Sequence, residues 1–204
     1  MFRRFKGVIS ISFIILFCSS VFGVPTLDQY QNNNTGGTAP LSTWKMAQTF
    51  TAGITGILDS VEIGCTSTGT TTWEIWETTA GVPSGTVLGS VTVTSDMSLG
   101  WNTIDMTSEG ITVNAGTMYA IVNYFSAGGY EDLLIEFDPD SYAAGQLWID
   151  FGSGDGWEVF SVFGGGDLQF RTYVEPSTIP VPGTVLLASF GTVIVGLMRR
   201  RKTI

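Results

Sequence analysis

The side chains in this sequence with types and spacing fit for chemistry are acids beside glycines and a set of tryptophans. Asp138-Pro139-Asp140 and Asp150-Phe151-Gly152-Ser153-Gly154-Asp155-Gly156 place carboxylates next to flexible backbone. Calcium takes roughly six to eight oxygens from carboxylates and backbone carbonyls, and a loop flanked by Asp150 and Asp155 offers both kinds. The spacing is not that of an EF-hand, which alternates Asp or Asn and ends in Glu. Asp150 and Asp155 are therefore the candidate calcium ligands, set against the plainer alternative of solvated turn acids.

The aromatic set comprises Trp73, Trp76, Trp101, Trp148 and Trp157, with Tyr130 and Tyr142. An exposed indole stacks on the C–H face of a sugar ring, whereas a buried one fills a core and needs a partner for its N–H. Trp73 shares an alternating face with Ile75 and is expected inside. Trp76 and Trp148 share faces with Glu74 and Asp150, so these two are the candidates for exposure and glycan stacking. Paired carboxylates of the glycosidase kind have no distinguishing spacing among the eighteen acids. Histidine is absent from the whole sequence, which removes Ser-His-Asp and Cys-His catalysis and His-based zinc sites. No catalytic residue is expected, and the chain reads as non-enzymatic.

The elements that must position these residues are strands. Leu58–Thr66 and Thr70–Thr78 alternate apolar and polar residues, Met118–Phe125 is the most apolar run, and glycine-rich turns separate roughly ten short segments of this kind. No stretch between them has helical period. The expected fold is all-β, an antiparallel β-sandwich or jelly roll over residues 44–174. Before it, residues 24–43 are polar and Asn/Gly/Thr-rich, and read as a loose leader with one edge strand at most. Cys65, the one cysteine of this exported part, reads as a small buried hydrophobe. Arg171 is expected to pair with an acid.

The two ends are of another character. Arg3, Arg4 and Lys6 precede the apolar run Val8–Phe17, and Val21-Phe22-Gly23 suits signal peptidase, so residues 1–23 read as a signal peptide cleaved after Gly23. At the other end, Val181 to Met198 is uncharged and apolar, close to the ~20 residues a spanning helix needs. Arg199, Arg200, Arg201 and Lys202 then form a basic stop that stays cytoplasmic. With seven of nine basic residues in these ends, Lys45 and Arg171 face all eighteen acids, a net charge of −16. That balance excludes nucleic acid and anionic lipid as partners of the exported part.

Residues 175–204 resemble the PEP-CTERM sorting signal of Gram-negative bacteria. Pro180-Val181-Pro182 stands at the motif position, with Val where that family usually has Glu, and Glu175-Pro176-Ser177-Thr178 echoes the motif upstream. The resemblance implies transient anchoring in the inner membrane and processing by an exosortase. A second resemblance covers Ala47 to Val174. Ala47-Gln48-Thr49-Phe50-Thr51-Ala52-Gly53, Trp73-Glu74-Ile75-Trp76-Glu77, Gly81 to Ser90, Ala115 to Val122 and Asp167 to Val174 look like the choice-of-anchor R domain. It implies an exported β-sandwich displayed on the cell surface or in the extracellular matrix, without catalysis. A polysaccharide matrix is the expected partner of the alternative, carbohydrate-binding reading, with calcium as an optional structural ion.

Overall fold

A computed structural model describes residues 23–33, 37–41, 44–137, 141–152, 156–161 and 166–177. Its strands are β1 (Thr26–Gln31), β2 (Gly37–Leu41), β3 (Lys45–Thr51), β4 (Gly56–Thr79), β5 (Val82–Val93) and β6 (Met97–Asp105). After a 3-10 turn at Thr107–Glu109 come β7 (Thr112–Val113), β8 (Met118–Glu136), β9 (Leu147–Asp150), β10 (Glu158–Val159), β11 (Asp167–Leu168) and β12 (Phe170–Pro176). Every pairing is antiparallel. The all-β expectation holds.

The main path through the sheet runs β1-β12-β4-β8-β3-β9-β10. Two long strands give it its form. The first part of β4 lies between β12 and β6, and its second part between β8 and β5. β8 likewise pairs with β3 over Met118–Tyr124 and with β2 over Glu131–Ile135. Because each strand changes partners midway, the sheet curls and its inward face closes on itself. Antiparallel strands put alternate residues on that face, and Trp73, Phe50, Phe170, Leu58, Ile63 and Ile121 meet there, all essentially inaccessible to solvent.

Two sequence expectations need correction. Residues 24–43 were expected to form a loose leader, yet they contribute β1 and β2. β1 pairs with β12 across a register shift at Asp28, and β2 pairs with the far part of β8. Their bonds are backbone bonds, which leave no apolar pattern to read. The second correction concerns strand length. Leu58–Thr66 and Thr70–Thr78 belong to one strand of 24 residues, and Met118–Phe125 is only the first part of β8, which runs on to Glu136. Gly69, at φ 98°, looks like a break in the alternation. The chain instead shifts register between Thr68 and Thr70 and carries on pairing with β8, as a bulge does.

Ala115-Gly116-Thr117 forms a turn, with Gly116 at φ 82° and Gly116 N–H bonded to Ala52 O. Leu168, Phe170 and Thr172 all face the core, as their alternation implies. Among the described residues no helix is long and apolar enough to cross a membrane. The apolar stretches Val8–Phe17 and 181–198 lie outside them.

Candidate functional site

The outward face of β4, β8, β3 and β9 carries the aromatic cluster. Cα pairing runs from Trp76 to Ala120 and from there to Thr49. One row over, it runs Glu74, Val122, Ala47, Trp148. Ala47, Ala120 and Val122 form a floor of small side chains, with Trp76, Trp148 and Trp157 packed around it. Three strand steps, roughly 14 Å at the usual spacing, separate the backbones bearing Trp76 and Trp148.

Polar groups orient this cluster. Trp76 Nε1–H donates to Glu74 Oε2 at 2.8 Å, and the Tyr124 hydroxyl and Ser90 hydroxyl donate to Glu74 Oε1 at 3.1 and 3.3 Å. Burial, and then the Glu74 charge, push the Tyr124 hydroxyl above its ordinary pKa. Lys45, one of two cations among the described residues, sits over the rings of Trp76 and Tyr124, 5.5 and 5.1 Å from their centroids. Trp157 meets Trp76 edge-on at 5.9 Å.

Beside the cluster lies an open groove of about 360 Å³ lined by Thr49, Thr51, Met118, Gln146, Trp148 and Val159, among others. That volume is at the small end for ligand sites. The threonine hydroxyls are already committed: Thr49 Oγ1 bonds both N–H and C=O of Gln146, and Thr51 Oγ1 donates to Ala144 O. Trp148 Nε1 is different. It is buried and has no hydrogen-bond partner, an uncommon state for a polar group.

Of the stacking candidates, Trp148 is half-buried and borders the groove. Trp76 corrects the expectation of exposure. It shares its face with Glu74 as the alternation implied, but only 8% of it is accessible, because Trp157 and Lys45 cover it. Alternation tells which face a residue is on, not what later segments fold over that face. The exposed tryptophan is Trp101, 36% accessible, on the outward side of β6. Arg171 stacks on it with 3.9 Å from guanidinium carbon to ring centroid, and also bonds Glu62 at 3.0 Å. The expected ion pair is therefore present. Trp101 alternates with Thr103 and Asp105 away from buried Ile104, a signal that marked it as outward-facing.

Asp150, the first calcium candidate, accepts the Gly152 N–H at 2.8 Å in a local turn, while Asp155 lies outside the described residues. No cluster of three metal-ligating carboxylates or thiols occurs among those described. Cys65 is buried, and burial, together with Glu131, pushes its thiol up to about 12, which makes it inert as a nucleophile. Gly23 adjoins Glu175 and Pro176. Pro180, Val181, Pro182 and Arg199 to Lys202 fall outside the described residues.

No family model and no curated protein matches the chain. Its fold does have solved likenesses. One is the crystal structure of the cysteine protease and lectin-like domains of Cwp84, a surface-layer-associated protein of Clostridium difficile. Identity there is 17% and the TM-score 0.54, over 75% of this chain and 36% of that one. Another is a form of the same clostridial protease after propeptide cleavage, at 18% identity and TM-score 0.54, over 75% and 40% of the respective chains. This chain thus spans well under half the length of either, and at such identity the likeness is one of fold.

Proposed function

We propose that the chain is an exported, non-enzymatic, lectin-like module that is displayed at the cell surface or in the extracellular matrix and binds polysaccharide. On this reading the curled sheet is a β-sandwich of jelly-roll type. The observation that carries it is the tryptophan-rimmed outer face, continuous through the half-buried Trp148 with an open groove. A sugar supplies an apolar ring face to stack on the half-buried Trp148 and Trp157. The neighbour's name couples a cysteine protease with a lectin-like domain, and an all-β chain without histidine fits the latter. Trp76 is then the backing of the site rather than its stacking surface.

A glycan array with the purified protein tests this. Binding should appear for at least one polysaccharide class and fall by roughly tenfold or more in Trp148→Ala, as for other buried aromatic anchors. Binding lost in Trp101→Ala but kept in Trp148→Ala would move the site to the outward side of β6. No binding to any glycan would leave a purely structural display role.

Delivery is part of the same proposal. The tail's motif, apolar stretch and basic end support exosortase-dependent sorting across the inner membrane of a Gram-negative bacterium. Mass spectrometry of the protein recovered from cells should find an N-terminus at Val24 and loss of the tail. A C-terminus still at Ile204 would make the tail a plain anchor.

A further inference from the structure

Glu131 lies in β8 with 0% of its surface accessible, on the inward face of the curled sheet. Neither carboxylate oxygen has a hydrogen-bond partner. Across the sheet its Cα partner is Ser67 of β4, whose hydroxyl is also buried and unpartnered. The third member is Asn123, on the earlier part of β8. Its Nδ2 donates to Thr72 O at 3.4 Å, but its Oδ1 is buried without a donor. The remaining polar groups nearby are engaged: Trp73 Nε1–H goes to Thr71 Oγ1, and the Cys65 thiol lies against Met97 Sδ and Asn102 Nδ2. Among the described residues the ion pair is Arg171–Glu62, so no cation balances Glu131.

The orphaned atoms are nearly all acceptors. A buried, unpaired carboxylate is so unfavourable that such groups neutralise instead. A single proton changes the inventory. The acid O–H becomes a donor suited to Asn123 Oδ1, and the remaining carbonyl oxygen becomes an acceptor suited to the Ser67 hydroxyl. We propose that Glu131 is held as a neutral carboxylic acid, and that this internal proton locks the place where β4 and β8 pass from one set of partners to the other. Losing it at alkaline pH leaves a bare charge in the core and loosens that junction.

The electrostatics agree in direction. Burial pushes the Glu131 carboxyl up from 4.5 to about 8, and the Asn123 amide lowers it only partly. On β4 the titratable group facing it is Cys65, whose thiol is raised to about 12 and stays neutral throughout this range. From β6 comes Met97, which does not titrate. An acid whose folded pKa is raised binds its proton more tightly folded than unfolded. Its contribution to stability is therefore present below about pH 4.5 and is lost as pH rises through about 8.

The test compares the full chain, purified in detergent, with its Glu131→Gln variant, whose amide is neutral at every pH. The ratio of the two unfolding constants should change up to about tenfold per pH unit between pH 5 and 8, wild type losing stability relative to the variant. Infrared spectra of the folded wild type at pH 7 should carry a protonated-acid carbonyl band that the variant lacks and that fades by pH 9. This spectrum serves even if the variant unfolds, because the band's titration is read in wild type alone. A pH-independent ratio, or no acid band at pH 7, would overturn the proposal. So would a wild-type stability that falls on adding chelator or removing sodium, which would put a cation where the proton is placed.

Discussion

At the scale of single residues, the groove depends on a glycine that carries no chemistry. An added Cβ at Gly145 would collide with the Thr49 carbonyl and crowd the Tyr142 ring. The backbone there is close enough for Thr49 and Gln146 to exchange hydrogen bonds on the groove wall. Gly145→Ala should therefore destabilise the protein by about 1–3 kcal/mol, the usual range for overpacking, measured by denaturant melts. On the proposed lectin-like reading it should also weaken glycan binding more than a distant change of equal thermodynamic cost. Gly85 gives the contrast: nothing lies within 4 Å of its added Cβ, and its φ of 86° alone penalises substitution. Residue types in the sequence pointed correctly to the Arg171 ion pair and the buried Cys65. They were silent on Gly145 and Glu131, because a close approach and a missing donor are properties of neighbours far along the chain.

At the scale of elements, β4 and β8 hold the molecule together. Each contributes to the core along most of its length, and each is paired on both edges for long stretches. Amide exchange should be slowest at Val61 to Ile75 and Tyr119 to Asn123, approaching global unfolding, and fast in the two-residue β10. Protection in β10 equal to that in β4 would contradict this hierarchy. These long strands were hidden because Gly69 and the run Ser126-Ala127-Gly128-Gly129 interrupt the apolar alternation on which a reading of the sequence depends. β1 and β2 were hidden for the opposite reason. Neither Thr26–Gln31 nor Gly37–Leu41 shows a clean apolar alternation, and backbone pairing with β12 and β8 is what orders them.

At the scale of the whole molecule, charge dominates. Both cations between the two end segments are spoken for, Lys45 over Trp76 and Tyr124 and Arg171 between Glu62 and Trp101. The remaining carboxylates repel one another across a compact body. Raising ionic strength screens that repulsion, so stability should increase between low salt and ~0.5 M NaCl. A gain on the order of 1 kcal/mol, about 2–4 °C in Tm for a chain of this size, is expected. A falling Tm would mean that the few attractive pairs outweigh the repulsion. Net charge was fully legible in the sequence. Where the two cations are spent was not, since stacking partners come from other strands.

The pairing of β1 with β12 has a mechanical side. Thr26 opposes Val174, and Gly23 lies against Glu175 and Pro176, so the first and last described residues emerge together at one corner. A pull on residue 177 directed along β12 would load that strand against both its neighbours. That strand is bonded to β1 on one edge and to β4 on the other. Such a load shears both ladders at once rather than unzipping them bond by bond. That corner is thus a clamp against such a pull, and β1, unremarkable as sequence, forms one of its jaws.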